Sequence, residues 1–276
     1  MEISKIDEQP RQSQKSDILA SVLDFSEILD WKELDNTDIL DKGVISRKNL
    51  VFLSGQAKAG KTSLVLSLGI SLAYVGDWLG LEVLHKCKVL FLTGEGGQSK
   101  IIERVKTLGH DVEADEFSEY FRLSYETNID FSDEESFAQF NARLANLDID
   151  VLIIDPLVCF HRYDENASGQ MSELVKRLQI LIESLNISII VLHHDTKQGR
   201  ALRGHGILEG AYDTLMHLVY NEPKPVKDKN GKSTLRMTEE YWSLDFTCKH
   251  AEGPGKWNLS RDGLIFTKKT SGSTKG

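Results

Sequence analysis

The stretch SGQAKAGKTSL, residues 54–64, contains two glycines separated by four residues, Gly55 and Gly60, followed directly by Lys61 and Thr62. The apolar run NLVFLS (49–54) precedes it and the helical pattern SLVLSLGISLAYV (63–75) follows it. Glycines allow a backbone to curl so that its N–H groups, aided by a helix N-terminus, point at phosphate oxygens. The stretch therefore predicts a nucleotide-binding loop, with a plain glycine turn between strand and helix as the alternative.

Each part of this loop has an expected role. Lys61 is expected to reach the β- and γ-phosphates, and the Thr62 hydroxyl is expected to coordinate Mg²⁺. The predicted nucleotide contacts in the loop are Gly55, Gln56, Ala57, Lys58, Ala59, Gly60, Lys61, Thr62 and Ser63. The ligand expected there is ATP with Mg²⁺.

The surrounding pattern predicts an α/β fold. The β-rich runs LVFLS, KVLFLTG, DVLIID and ISIIVLHH are separated by segments with helical spacing at 61–75, 98–109, 133–147 and 168–185. This alternation indicates βαβ units, and the nearly continuous apolar character of the runs is typical of parallel strands that helices cover on both faces. After about residue 212, the runs TLMHLVY, TLRMTEEYWSLDFTCKH, KWNLS and GLIFTKK predict antiparallel strands. We expect a mostly parallel twisted sheet, extended by a C-terminal β-meander at about 212–268.

The domain prediction follows from this pattern. Residues 1–16 are polar and are predicted to be a disordered tail. Residues 17–48 carry spaced apolar positions among acids and are predicted to be a helical lead-in to the core. We expect one ATPase domain over 17–268, with an exposed loop at 221–233 and a flexible tail at 269–276.

Composition limits the setting and the partners. No apolar run approaches the ~18 residues that a membrane span needs, and no apolar stretch follows the first charged residues, so neither a membrane segment nor a secretory signal is expected. The three cysteines form no CxxC spacing, which favours reduced thiols and a cytoplasmic location. The net charge of −9 has the wrong sign for a protein that binds DNA through its overall field. Any nucleic-acid contact must come from a local basic surface.

Two acids follow predicted strands. Asp155 ends the run DVLIID, and Glu95 lies just beyond KVLFLTG. Because ligands of open α/β sheets lie at the carboxyl ends of the strands, both carboxylates are expected to face the phosphate loop. Asp155 is the candidate Mg²⁺-supporting acid and Glu95 the candidate catalytic base. A strand-terminating Asp-Pro turn and a surface loop acid are the respective alternatives.

Paired histidines end the next predicted strand. His193 and His194 have no third ligand at a recognisable metal-site spacing. One of them is therefore expected to sense the γ-phosphate or to orient the attacking water, and a half-buried structural histidine is the alternative for each.

The order of these parts resembles the RecA-like core: phosphate loop, Glu after the second strand, Asp after a later strand, and a polar sensor after the next. The segments FHRYDENASGQMSELVKRLQ (160–179) and SIIVLHHDTKQ (188–198) resemble the RepA hexameric replicative helicases of plasmids and their AAA-type relatives. The similarity extends from about residue 45 to 268. It implies a hexameric ring ATPase that moves along single-stranded DNA.

The resemblance also implies roles for individual residues. It makes Lys61, Thr62, Glu95 and Asp155 the catalytic and Mg²⁺-binding set. It makes Arg104, in IIERVKTLG, a contact to the nucleotide phosphates. His193 and His194 match the paired histidines of the family, the second of which couples the γ-phosphate to DNA-binding loops. Lys249 falls near a basic position that precedes a family loop.

One position departs from the family. The arginine finger that reaches a neighbouring subunit lies about ten residues after an Arg-Gly pair, here Arg203-Gly204, and the matching position is Asp213. A carboxylate cannot stabilise phosphoryl charge. Either Arg203 or Arg200 acts as the finger, or hydrolysis between subunits is weak.

Two hypotheses of function remain. In the first, the loops 161–169 and 196–206 line the channel of a ring, and Lys197, Arg200 and Arg203 contact DNA phosphates without reading bases. In the second, the chain is a nucleotide-switched assembly or regulatory ATPase with slow hydrolysis that DNA does not affect. The acidic charge and Asp213 favour the second. A small-molecule kinase is disfavoured because no arginine-rich lid is recognisable.

Overall fold

The computed structural model describes Phe25 and residues 37–111, 117–126, 128–195, 205–227 and 233–269. The chain divides into two compact units, Met1–Asn36 and Thr37–Gly276. All the elements described below belong to the second unit. The tails predicted at 1–16 and 269–276 lie outside the described residues, apart from Lys269.

A nine-stranded sheet forms the centre of the second unit. Its strand order is β15-β14-β13-β10-β3-β9-β8-β6-β7. The strands are β3 (Leu50–Gly55), β6 (Val89–Thr93), β7 (Phe121–Ser124), β8 (Val151–Asp155), β9 (Ser188–His194), β10 (Thr214–Asn221), β13 (Tyr241–Cys248), β14 (Lys256–Asp262) and β15 (Ile265–Lys268). The six strands from β10 to β7 in this order pair in parallel, and β13, β14 and β15 continue the sheet in antiparallel pairing.

Helices cover both faces of this sheet. They are α1 (Lys61–Tyr74), α2 (Gln98–Leu108), α3 (Glu134–Leu144), α4 (Ser168–Leu185) and α5 (His205–Ala211). The core on one face contains side chains of α1, α2 and the meander, and the core on the other contains side chains of α3, α4 and α5. Because each central strand is buried on both faces, its sequence is continuously apolar, as in β8, where VLIID is buried throughout.

Short elements complete the unit. They are β1 (Asp38–Leu40), β2 (Ile45–Ser46), β4 (Asp77–Trp78), β5 (Leu81–Glu82), β11 (Pro225–Lys227) and β12 (Ser233–Met237), with 3₁₀ turns at Asp41–Gly43 and Leu157–Phe160. They form three two-stranded sheets, β1-β2, β4-β5 and β11-β12. None of the helices that the structure describes is long and apolar enough to cross a membrane.

The sequence-based fold class is confirmed, two local predictions are corrected, and one strand is additional to those predicted. The helical lead-in predicted up to residue 48 is wrong over 38–46, where β1, a 3₁₀ turn and β2 form a small hairpin. The run TLMHLVY is antiparallel to β13 but parallel to β3, so β10 joins the meander to the parallel sheet. The edge strand β7 was not predicted, because FRLS is short and only its first residue is buried.

Loss of a buried side chain in the central sheet is expected to destabilise the fold. Ile153 on β8 is fully buried, whereas Ile265 on β15 is 50% exposed. Ile153→Ala should lower the free energy of unfolding by about 2–5 kcal/mol, because it removes buried methyl groups and leaves a cavity. Ile265→Ala, the matched control, should change it by less than about 1 kcal/mol. Urea unfolding of the two variants checks this, and equal losses would contradict the assigned core.

Candidate nucleotide site

The phosphate-loop segment 55–63 runs from the last residue of β3 into the first turn of α1, at the carboxyl ends of the parallel strands. Gly60 lies at the N-terminus of α1 with φ 103°, a left-handed conformation that glycine adopts without steric cost. No side chain caps this helix end. The first N–H groups of α1 are therefore available to a ligand, as the sequence predicts for a phosphate loop.

Lys61 is held against the loop by three contacts. Its Nζ donates to the carbonyl oxygens of Gly55 (2.7 Å) and Gln56 (3.0 Å) and lies 3.2 Å from Nδ1 of His194. An ammonium group has only donors, so His194 Nδ1 accepts and the ring carries its proton on Nε2. Burial lowers the pKa of Lys61, an effect that the carboxylates of Asp195, Asp155 and Glu95 oppose.

Asp155 lies at the end of β8, beside the start of α1. Its carboxylate accepts a hydrogen bond from the Thr62 hydroxyl and is 4% exposed. Burial raises the pKa of Asp155 to about 6; the Thr62 hydrogen bond lowers it, Glu95 raises it further, and Lys61 and Arg104 lower it. Taken together, these effects leave Asp155 as a buried carboxylate whose negative charge is not balanced by the neighbouring cations.

This environment fits the Mg²⁺ expected at Thr62 and Asp155. A divalent cation held by Thr62 and Asp155 would supply the positive charge that the buried carboxylate needs. No group of three or more His, Cys, Asp or Glu side chains within the described ranges could hold a metal by itself. Magnesium does not need such a cage, because one or two protein ligands and substrate phosphates commonly hold it.

Glu95 lies on the exposed turn between β6 and α2. Thr93, the last residue of β6, is paired in register with Asp155 on β8, so Glu95 follows two residues beyond this pair. Gly96 and Gly97 have φ values of 86° and 73° and turn the chain into α2. Glu95 is thus held at the rim of the site, where it faces solvent.

A cavity of about 290 Å³ joins these parts. The charged residues of its lining are Lys58, Lys61, Arg104, Arg261, Glu95 and Asp155. Thr62, Ser63, Gly60, Pro156 and His194 complete it. Four cations and two carboxylates favour an anionic ligand. Arg104, whose sequence context alone favours a surface arginine, does face this cavity.

Arg261 is a lining residue that the sequence did not indicate. It lies on β14, about 200 residues from the loop, within a run that has no motif. The meander also anchors the loop directly, since the buried Nε1 of Trp242 on β13 donates to the carbonyl oxygen of Ala59 at 2.8 Å. The C-terminal strands therefore form one wall of the site.

The paired histidines lie on opposite faces of the sheet. His194 lines the cavity, whereas the His193 ring is 1% exposed and packs edge-on against Phe52 with 6.3 Å between centroids. His193 Nδ1 is 3.9 Å from the carboxylate of Glu165. The alternation of side chains along β9 causes this separation. The structure does not bring His193 to the other predicted nucleotide contacts.

Asp195, the next residue, was also missed by the sequence reasoning. It is buried, and its Oδ2 is 2.9 Å from Nε2 of His217 on β10. Of the three carboxylates that support the charge of Lys61, it has the largest effect. Its position directly after the two histidines was the only available signal.

Asp213 occupies the position expected for the arginine finger. It lies at the amino-terminal end of β3 and β10, away from the phosphate loop. Its Oδ2 accepts the backbone N–H of Leu50 at 2.8 Å, and its Oδ1 is 3.3 Å from Nε2 of His250. Lys249 donates to the carbonyl oxygen of Gly210 at 2.7 Å. Asp213 thus connects the start of β3 to His250 of the meander, and Lys249 connects the meander to α5.

The candidate DNA-contacting residues fall mostly outside the structure. Lys197, Arg200 and Arg203 lie outside the described residues. In the other candidate loop, 161–169, His161 is buried and the exposed Arg162 pairs with Asp130 at 3.0 Å.

The strand order, the phosphate loop and the acids at the carboxyl edge define a P-loop ATPase domain with a RecA-like fold. The chain belongs to the AAA domain family, whose model matches residues 12–200, more than half of its length.

Similar proteins agree with this class. The DNA repair protein RadA of Streptococcus pneumoniae is 27% identical over 205 residues, which cover 71% of this chain and 42% of RadA. The DNA repair and recombination protein RadB of Thermococcus sibiricus is 24% identical over 169 residues, or 59% of this chain and 68% of RadB. The chain thus spans about two-fifths of the length of RadA.

The fold is also similar to a solved structure. The crystal structure of a KaiC-like protein of the archaeon Pyrococcus horikoshii OT3 superposes with a TM-score of 0.58. The superposition covers 84% of this chain and 94% of the KaiC-like protein at 14% sequence identity. The RecA-like fold expected from the sequence is therefore confirmed.

The buried charge of Asp155 predicts a pH-dependent stability. In magnesium- and nucleotide-free buffer, Asp155→Asn should raise the free energy of unfolding at pH 7 by about 2–3 kcal/mol, because the folded state disfavours the ionised carboxylate. The folded-state pKa is about 6, against 3.8 for an unperturbed Asp, so the folded protein binds the additional proton between these values. The contribution of Asp155 to the wild-type free energy of unfolding therefore falls as pH rises through that window. The higher free energy of unfolding of Asp155→Asn should vanish below about pH 4.

Denaturant unfolding from pH 4 to 7 measures this difference. Asp262→Asn, an exposed change on β14, is the control and should show no such dependence. If the free energies of unfolding of wild type and Asp155→Asn differed by the same amount at every pH, burial of the ionised Asp155 carboxylate would be contradicted as the cause.

Proposed function

We propose that the chain is a ring-forming ATPase of the RepA-like type that binds ATP and Mg²⁺ at this cavity and couples hydrolysis to movement along single-stranded DNA. The observation that carries the proposal is the convergence of Lys61, Thr62, Asp155 and Glu95 on one cavity at the carboxyl edge of the sheet. Those residues come from three different connections, which is the arrangement that phosphoryl transfer needs.

The chemistry is transfer of the γ-phosphoryl group of ATP to water. A water molecule attacks the γ-phosphorus, the bond from that atom to the β,γ-bridging oxygen breaks, and ADP and inorganic phosphate leave. Glu95 accepts the proton of the water in this proposal, because it is a carboxylate that lines the cavity. Bound Mg²⁺ neutralises phosphate charge and orients the phosphates.

Lys61 changes partners when the nucleotide binds in this proposal. Its three present contacts, two carbonyl oxygens and His194, hold the ammonium at the loop in advance. Phosphate oxygens would take the place of some of these acceptors. His194 would then sense the phosphate through Lys61, and it stands at the end of β9, one residue before Asp195 and the segment with the candidate DNA-binding residues.

DNA is the proposed polymer for two reasons. The segment 196–206 carries Lys197, Arg200 and Arg203 in an otherwise acidic chain, and cations of this kind contact nucleic-acid backbones without reading bases. RadA and RadB, the similar proteins, are by name DNA repair and recombination proteins. The RepA-like segments at 160–179 and 188–198 add the proposal of a hexameric ring.

A second candidate function is a nucleotide-switched assembly without strand separation. Asp213 favours it, because the carboxylate at the family's finger position is bound to Leu50 and His250 of its own subunit. In that case ATP would order a partner surface, and hydrolysis would be slow and indifferent to DNA.

The test is the rate of ATP hydrolysis with Mg²⁺ at low salt, with and without single-stranded DNA. The first function predicts that DNA stimulates turnover and that added salt weakens the stimulation, because phosphate contacts release counterions. Slow turnover that DNA does not change would contradict the first function and support the second.

Two variants separate binding from chemistry in that assay. Glu95→Gln should keep ATP affinity within about twofold while hydrolysis falls by about 10²–10⁴-fold, because only proton transfer is lost. Lys61→Ala, the matched control, should lose ATP binding itself, since the loop loses its phosphate-facing cation. A nucleotide titration and a phosphate-release assay check both. Unchanged turnover in Glu95→Gln would remove Glu95 from the mechanism, and normal affinity in Lys61→Ala would contradict the site.

A further inference from the structure

The guanidinium of Arg261 lies against the phosphate loop of its own subunit. A Cβ atom placed on Gly60 would be 2.8 Å from Nη1 of Arg261 and 2.7 Å from the Phe266 ring. Because Gly60 has no side chain, the meander can lie close to the loop at this residue. The same lack of a side chain allows the left-handed backbone conformation. Arg261 reaches the loop from β14, the second strand from the sheet edge.

Neighbouring groups fix the orientation of the Arg261 side chain. They hold Nε and the face of the guanidinium, so that the two Nη atoms face the cavity. Its Nε donates to the carbonyl oxygen of Gly263 at 2.9 Å. Its guanidinium carbon lies 5.1 Å from the centroid of the Phe266 ring and 5.9 Å from that of the Trp242 ring, within the range of cation–π contacts. The same Trp242 holds the carbonyl oxygen of Ala59, so the guanidinium and the loop share one support.

No carboxylate among the described residues forms an ion pair with Arg261 or with Arg104, although both line the cavity. Other arginines that the structure describes, such as Arg162 and Arg177, have acidic partners. Partial burial lowers the pKa of Arg261, and repulsion by Arg104 adds to this effect, so the two guanidiniums face a common space. Two unpaired guanidiniums at one cavity form a binding site for phosphate oxygens.

We propose that Arg261 contacts the phosphate chain of ATP in its own subunit and stabilises the charge that develops as the γ-phosphoryl group passes to water. It would thereby supply in cis the cation for which the expected finger position offers only Asp213. This inference rests on the proposed ATPase function. It makes the C-terminal meander part of the active site.

The first experiment measures steady-state ATP hydrolysis by Arg261→Gln. Glutamine keeps a planar polar group but loses the charge, so kcat should fall by about 10²–10³-fold, the usual effect of removing one stabilising donor. Lys268→Gln is the matched control, because Lys268 stacks over Trp257 at 3.8 Å on the same meander but does not line the cavity. Lys268→Gln should keep wild-type turnover.

Arg261→Lys distinguishes a phosphate contact from support of the loop. Lysine keeps the charge but loses the planar fork, so turnover should recover only in part. The melting temperatures of both Arg261 variants should stay close to that of Lys268→Gln. A large fall in melting temperature accompanied by equal loss of ATP and ADP affinity would indicate a structural role and overturn the proposal.

The second experiment decides between cis and trans action by mixing two inactive variants. Glu95→Gln chains keep Arg261, and Arg261→Gln chains keep Glu95. If Arg261 acts in its own subunit, no mixing ratio restores hydrolysis. Recovery of turnover in the mixture would mean that Arg261 reaches a neighbouring site, and would overturn the cis assignment.

The outcomes separate this inference from the proposed function. Absence of hydrolysis by the wild-type chain would contradict the ATPase itself. Wild-type hydrolysis together with an equally active Arg261→Gln variant would leave the ATPase standing and contradict only the role of Arg261.

Discussion

Parallel pairing of β3, β9, β8 and β6 is the constraint on which the candidate site depends. Their register aligns Gly55 with His194 and Thr93 with Asp155, so the loop, His194 and the acids come together at the carboxyl ends of the strands. Because both faces of every central strand are covered, these strands are apolar along most of their length. The polar side chains of the site therefore lie at the carboxyl ends of these strands, where they line one cavity.

Much of this arrangement could be predicted from the sequence. The phosphate loop has a full local motif, and Asp155 ends an apolar run whose length and composition predict a buried strand. Arg104 needed a family resemblance, since its helix gives no local signal. Arg261 and Asp195 were missed because their roles depend on long-range pairing, which no spacing along the chain encodes. The residue pattern alone did not separate His193 from His194, which only the family resemblance distinguished, because the two faces of β9 differ in their surroundings only within the sheet.

The meander changes how the site should be understood. Sequence reasoning treated the C-terminal strands as an extension of the fold, yet Trp242 holds the phosphate loop and Arg261 faces its cavity. Asp213, directly before β10, binds the backbone N–H of Leu50 at the amino-terminal end of β3. The four cations that line the cavity, Lys58, Lys61, Arg104 and Arg261, therefore all belong to one chain.

The most direct measurement is a crystal structure of the chain with Mg²⁺ and a non-hydrolysable ATP analogue. The account predicts phosphates on the loop 55–63, the metal between Thr62 and Asp155, and the guanidinium of Arg261 within hydrogen-bond distance of a phosphate oxygen of the same subunit. A nucleotide bound elsewhere, or bound at the loop with Arg261 turned away from the phosphates, would contradict it.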